Sequence, residues 1–332
     1  MANKQIRLAW VGKIGVQYGT GSDTASPAIS MGPCAETLRM MEGAGVEFVA
    51  LKAHSLTFNP SLIAPILGVA ARKIGIVPSL STSEYPPYTL ARLIRSLDHC
   101  TDGRIGWGVD MGEDEGEADY DREEEYLSVC RKLWQSWPQE AMIEDYRTGD
   151  FADPDKVKPI NHVGQYFKVA GPLSLVPSIQ KSPLIVVFAG DEKAFRFAGK
   201  QADVAFIAEE TVEACISALS EIHKYAAEAG RNPGDVKVYM EICPFITEDP
   251  GIIPPKARQR GLFVKGNAEE VASAMEEAFD RSGCDGIALA AGWRSTEVLD
   301  ICNKTLAYLR RRGRLVSIND PLSPLQERIM EN

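Results

Sequence analysis

A histidine, several carboxylates and a run of hydroxyls each follow directly on a short apolar segment, and those positions define the chemistry open to this chain. His54 follows the run 48–53, Ser81, Thr82, Ser83 and Glu84 follow 74–80, and Asp110 follows 105–109. Gly190 and Asp191 follow 184–189, Glu209 and Glu210 follow 204–208, Glu241 lies within 236–242 with Cys243 directly after it, and Trp293 and Arg294 follow 286–291. An imidazole titrates near neutral pH, so His54 suits a general base, with Asp110 and Glu84 as carboxylate partners. A histidine capping the Ser55 loop is the plainer alternative. One histidine among carboxylates lacks the ligand set of a binuclear metal site, and no metal is expected.

The elements that must position these groups alternate along the chain. Buried-type strand segments at 7–12, 48–53, 74–80, 105–109, 184–189, 204–208, 236–242 and 286–291 are each followed by an amphipathic segment. The helices are expected at 34–43, 61–72, 87–99, 122–137, 192–201, 211–229, 268–282 and 296–312. Alternating β and α with strands buried on both faces implies a parallel sheet, and eight such pairs suit a closed α/β (β/α)₈ TIM barrel. An open doubly wound sheet is the alternative. In a barrel the residues just after each strand line the working face, which is why the groups above are the ones singled out.

Residues 1–332 read as one barrel domain with two interruptions. The first, 138–183, carries HVGQYFKVA (162–170), whose alternation and glycine read as a small hairpin. The second, 247–261 (TEDPGIIPPKARQRG), is rich in Pro, Gly and charge and is expected to be a mobile cover. The tail after Val316 reads as a polar wrap.

The turn in FAGDEKAF (188–195) poses a sharper question. A strand running through Ala-Gly into a helix is a place where backbone amides receive a phosphate. An aspartate at 191 instead suits the N-cap, its carboxylate taking the same amides.

The formal charge of −10 argues against a nucleic-acid or anionic-membrane surface. Arg310, Arg311 and Arg312 end a helical segment, where the helix terminus favours them. Seven scattered cysteines without a CxxC pair read as reduced thiols, and the charged N-terminal start followed by a short apolar run reads as a first strand rather than a signal peptide. No apolar run approaches the ~20 residues of a membrane span, so the cytosol is the expected location. GxSxG, Walker and HExxH motifs are absent, and no GxGxxG follows the first strand, so no nicotinamide fingerprint is present.

STSEYPPYTLARLIRSLD (81–98) followed by DGRIGW (102–107) resembles the bacterial luciferase-like flavin monooxygenases, closest to the nitrilotriacetate and dibenzothiophene-sulfone monooxygenase branch. Further stretches agree in order: EY (125–126), LWQSW (133–137), FADP (151–154), HVGQYF (162–167), GPL (171–173), QKSP (180–183), GRNP (230–233) and CDG (284–286). The resemblance implies a (β/α)₈ barrel, a homo-oligomer, and reduced FMN delivered by a separate flavin reductase for O₂-dependent oxygenation of a small organic substrate. It implies that Thr82 approaches the flavin ring, that Tyr120 stands on the phosphate side, and that Gly190 and Asp191 lie at the phosphate turn.

The chain departs from the family at several of these places. The family's arginine before the tyrosine is Asp119, its Asn-x-x-Thr after strand four reads GVDM (108–111), and the aspartate ending strand two is replaced around Ala53 and His54. Its Gln-Ala-Gly-Ala-Ser becomes VFAGD (187–191). Two enzyme readings follow: a flavin monooxygenase with another phosphate grip, such as Arg294 or Lys13, or a flavin-free member using His54, Asp110 or Glu84 for isomerisation, elimination or cyclisation. A non-catalytic partner subunit is a third. Tyr85, Trp107 and Trp293 would give the pocket a mostly apolar lining.

Overall fold

The computed structural model describes residues 4–12, 31–52, 58–111, 120–252, 261–317 and 323–331. In chain order the strands are β1 (Arg7–Gly12), β2 (Phe48–Leu51), β3 (Gly75–Ser81), β4 (Gly106–Asp110), β5 (Met142–Asp145), β6 (Asp150–Ala152), β7 (His162–Val163), β8 (Lys168–Val169), β9 (Leu184–Ala189), β10 (Val204–Ile207), β11 (Lys237–Ile246), β12 (Leu262–Gly266) and β13 (Gly286–Ala290). The α-helices are α1 (Met31–Gly43), α2 (Pro60–Ala70), α3 (Pro87–Cys100), α4 (Tyr120–Gln135), α5 (Glu192–Gln201), α6 (Val212–Glu228), α7 (Ala268–Ser282), α8 (Ser295–Asp300), α9 (Leu306–Arg311) and α10 (Leu325–Met330). β1–β4, β9, β10, β11 and β13 pair in parallel in the ring order β10-β9-β4-β3-β2-β1-β13-β11, and β10 also pairs with β11, which closes the barrel. No helix among the described residues is long and apolar enough to cross a membrane.

Strand alternation decides which side chains fill the barrel. One phase sends Ala9, Phe48, Val77, Leu184, Phe206, Tyr239 and Ala288 inward as a buried apolar cluster. The other phase, with Trp10, Val49, Ile76, Val187 and Met240, joins the larger core beneath the helices. The inward rings meet: Phe48 lies 5.9 Å from Phe206 and 5.8 Å from Tyr239, centroid to centroid. Glycine makes room for them, since a Cβ on Gly286 would stand 2.6 Å from the Tyr239 ring.

The tail is not a polar wrap. Residues 323–331 include α10, whose Leu325 and Ile329 are fully buried in the inner cluster and close the N-terminal end of the barrel. Glu47, 1% exposed, accepts from Arg7 at 3.0 Å, and its backbone oxygen accepts from Arg328 at 3.2 Å, so this plug is seated by a charged seam. Two apolar residues four apart in a six-residue helix are too few to stand out as a periodic pattern in sequence.

β11 runs four residues beyond its expected end, and its upper half pairs in parallel with β12, which the sequence reading lacks. The expected last helix is continuous in course but contains a π segment at Ile301–Thr305 between α8 and α9. Within 138–183, β5 and β6 form one antiparallel hairpin and β7 and β8 a second. The second is clamped to α4: Glu125 accepts from His162 Nε2 at 3.0 Å and from the amides of Gln165, Tyr166 and Phe167 at 2.9, 3.0 and 2.8 Å. A Cβ on Gly164 would lie 2.0 Å from that carboxylate, so glycine permits the close approach. Motifs far apart in the chain therefore meet. Likewise Gln180 donates to Asp98 Oδ1 at 2.5 Å and to the Ile105 carbonyl at 2.7 Å. In the second interruption 247–252 and Gly261 are described, with Lys265 donating to the Pro250 carbonyl at 2.6 Å, and the rest lies outside the described residues.

Candidate functional site at the barrel mouth

The C-terminal ends of the eight barrel strands bring together groups from every part of the chain. At the end of β3, Ser81 and Ser83 share a hydrogen bond of 2.8 Å, and the Thr82 amide donates to the Asp110 carbonyl at 3.0 Å, joining this turn to β4. Behind it, Arg122 in the first turn of α4 donates to the Thr82 carbonyl at 3.2 Å. Thr82 is 2% exposed, and its enclosed Oγ1 has no hydrogen-bond partner among the described residues. Trp293, after β13, covers the end of β1: a Cβ on Gly12 would stand 2.6 Å from its Nε1. That indole N–H is likewise enclosed, with no hydrogen-bond partner among the described residues. Leaving a buried donor unpaired costs about 1–3 kcal/mol.

A cation crosses the centre. Lys52 continues the inward phase of β2, and its Nζ lies 3.9 Å from the Phe188 ring centroid on β9 and 3.7 Å from Glu241 Oε1 on β11. β9 and β11 each stand three strands from β2 around the ring, so this lysine reaches over the barrel interior. Phe188 fits because β4 has a glycine opposite it; a Cβ on Gly108 would stand 3.2 Å from the Phe188 edge. Glu241 stands out in the sequence at a strand end, whereas Lys52 and Phe188 do not. The signal was present in the spacing Phe48, Ala50, Lys52, which keeps one face of β2.

At the β9–α5 turn, Asp191 is the N-cap of α5: its carboxylate accepts from the Ala194 amide at 2.8 Å, and its carbonyl from the Phe195 amide at 2.9 Å. Gly190 and Asp191 are exposed, and the space beside Gly190 is open, with no atom within 4 Å of an added Cβ. Tyr120 opens α4 beside this turn, its ring 5.8 Å from Phe197 of α5. Burial, and secondarily the negative charge of Asp191, push its phenol up to about 12. Tyr120, Gly190 and Asp191 are thus brought together, and Thr82 is joined to Asp110. Asp110 is half-buried at the tip of β4, opposite Ser81. Glu84 is exposed in the turn before α3 and makes no hydrogen bond or ion pair among the described residues. His54, Lys13 and Asp119 lie outside the described residues.

Beside the mouth, between the upper end of β11 and α8, lies a cavity of about 270 Å³ walled by Pro244, Phe245, Ile246 and Ile301, with Arg294, Thr296, Glu297 and Asp300 as polar groups. At α5 the Asp191 carboxylate opposes a phosphate.

The family model for luciferase-like monooxygenases matches residues 12–263. The chain is 35% identical over 199 residues to the long-chain alkane monooxygenase of Geobacillus thermodenitrificans, covering 56% of this chain and 45% of that protein. It is 30% identical over 287 residues to nitrilotriacetate monooxygenase component A of Aminobacter aminovorans, covering 74% of this chain and 63% of that one. The chain spans about half the length of the curated relatives it matches. The crystal structure of a long-chain alkane monooxygenase superposes with a TM-score of 0.87 at 22% identity, covering 98% of this chain and 95% of that chain, which establishes the shared fold. The order of motifs, the closed eight-stranded barrel and the family match over most of the sequence agree: the chain belongs to the luciferase-like monooxygenase family.

Proposed function

We propose that this chain is a flavin-dependent monooxygenase of the cytosol, oxygenating a small, mostly apolar organic substrate with reduced FMN and O₂, the reduced flavin arriving from a separate reductase. The observation that carries this reading is the family match over residues 12–263 on a closed barrel, with Thr82 at the mouth where the resemblance expects the flavin ring. Flavin, when bound, supplies the electrons that activate O₂. The residues of this chain bind, orient and shield. Thr82 and Trp293 would hydrogen-bond the ring once side-chain rotation turns their enclosed polar atoms toward it. Lys52 holds positive charge over Phe188, where a reduced, electron-rich ring gains from it. Phe188 and Trp293 keep water from the interior, and Tyr120, its phenol held at about 12, keeps its proton at neutral pH as a donor on the α5 side. The relatives' names, nitrilotriacetate and long-chain alkane monooxygenase, fit oxygenation of small organic molecules. Self-association is part of the proposal: Leu62, Ile66 and Val69 form one face of α2 and are 68%, 50% and 82% exposed. The test is fluorescence titration with FMN and riboflavin, then O₂ uptake with a flavin reductase present. Flavin binding with substrate-dependent O₂ uptake supports the reading, and no binding of either flavin overturns it.

One observation favours a second reading. The Asp191 carboxylate already occupies an amide of the α5 first turn, where a phosphate would sit. A flavin-free member would then use Asp110 and Glu84, with His54, for a non-redox isomerisation, elimination or cyclisation. It predicts turnover without flavin or O₂, lost in Asp110→Ala.

A further inference from the structure

We propose that the cavity between β11 and α8 binds a small organic acid, with Arg294 holding its carboxylate and Phe245, Ile246 and Ile301 holding its hydrocarbon part. Calling that acid the substrate rests on the monooxygenase reading above; the binding itself does not.

Arg294 lines the cavity half-buried and makes no side-chain hydrogen bond or ion pair among the described residues. The two carboxylates on the same wall are engaged elsewhere. Asp300 pairs with Lys304 at 2.7 Å, and Glu297 accepts from the Gly292 amide at 3.4 Å while packing against that glycine. The lining carries one cation, Arg294, and two carboxylates, of which Asp300 is neutralised by Lys304 from outside the cavity, so there is no broad positive field to gather polyanions. What remains is a directional, planar donor fork beside an apolar wall, which suits bidentate contact with one carboxylate.

Size narrows the class. A cavity of about 150 Å³ holds benzene, so about 270 Å³ takes roughly ten non-hydrogen atoms. A medium-chain monocarboxylic acid fits both the volume and the division into an apolar bed and one cation. The π segment beginning at Ile301 sits under this wall, and such insertions into a helix recur at ligand sites.

Octanoate, octan-1-ol and octylammonium are titrated by calorimetry into the full chain without flavin, using wild type, Arg294→Met and Ile246→Trp. Wild type should bind octanoate at least tenfold more tightly than octan-1-ol, and octylammonium least. Arg294→Met should erase the preference for the acid, and Ile246→Trp should weaken acid and alcohol together by filling the cavity. Octanoate binding no tighter than octan-1-ol, binding of none of the three, or an unchanged preference in Arg294→Met overturns the proposal. Displacement of octanoate by FMN but not by riboflavin would assign Arg294 to the flavin phosphate and also overturn it. Flavin titration of the same wild-type protein reads the monooxygenase proposal separately: octanoate binding without flavin binding leaves this site standing and removes that reading.

Discussion

Replacing Asp191 by serine separates its two roles, capping a helix and repelling an anion. The carboxylate accepts from the Ala194 amide at 2.8 Å, so a phosphate oxygen competing for the first-turn amides of α5 would lie roughly 5 Å from it. At an effective dielectric of about 20, like unit charges at that separation cost about 3 kcal/mol. Asp191 is exposed, and solvent screening reduces this to roughly half. The expected gain in FMN affinity for Asp191→Ser is therefore about ten- to a hundredfold. Riboflavin, lacking the phosphate, should bind the variant and wild type alike. Serine caps a helix about as well as aspartate, so the midpoint of urea unfolding should move little. The Tyr120 phenol gives a readout independent of flavin. Burial is the main cause of its rise to about 12 and Asp191 a lesser one, so its absorbance titration should move downward in the variant. The assay is paired titration with FMN and riboflavin at fixed ionic strength. Equal changes for the two flavins, or no change for FMN, would refute the placement of a phosphate at α5.

Three further outcomes follow from the geometry. Lys52→Met should destabilise the fold by about 3–5 kcal/mol, because it removes the ammonium paired with the buried Glu241, while Lys52→Met with Glu241→Leu should recover much of the loss; a double variant no more stable than Lys52→Met in urea would contradict this. Burial raises the Glu125 carboxyl, but hydrogen bonds from His162 and the amides of Tyr166, Phe167 and Gln165 outweigh it and hold it at about 2. Its folded value lies below the ordinary 4.5, so its stabilisation is present above about 4.5 and is lost as pH falls toward 2; thermal melts should show that decline in wild type and a smaller one in Glu125→Gln. Leu62→Glu with Ile66→Glu should convert a self-associated species to monomer by light scattering, and an unchanged mass would exclude this face of α2.

The barrel was legible in the sequence because each strand–helix unit carries its own local signal. Apolar runs of buried type alternate with amphipathic segments, and the boundaries of β1, β9, α5 and α7 coincide with those signals. The Asp191 cap was legible for the same reason, since a cap acts within three residues of itself. The hairpin at 162–170 was legible in its alternation and glycine, but its tie to Glu125, the α10 plug and the Lys52–Glu241–Phe188 cluster were not. Each joins residues far apart in the chain through contacts that no local pattern encodes: Glu125 with His162, Arg7 with Arg328, Lys52 with Glu241. Closing the ring decided which strand ends face one another, and so it alone placed a cation over an aromatic ring at the centre of the mouth. Periodicity and turn chemistry in the sequence determined the elements and their order; closure of the barrel and the packing of its interior decided which side chains share a site.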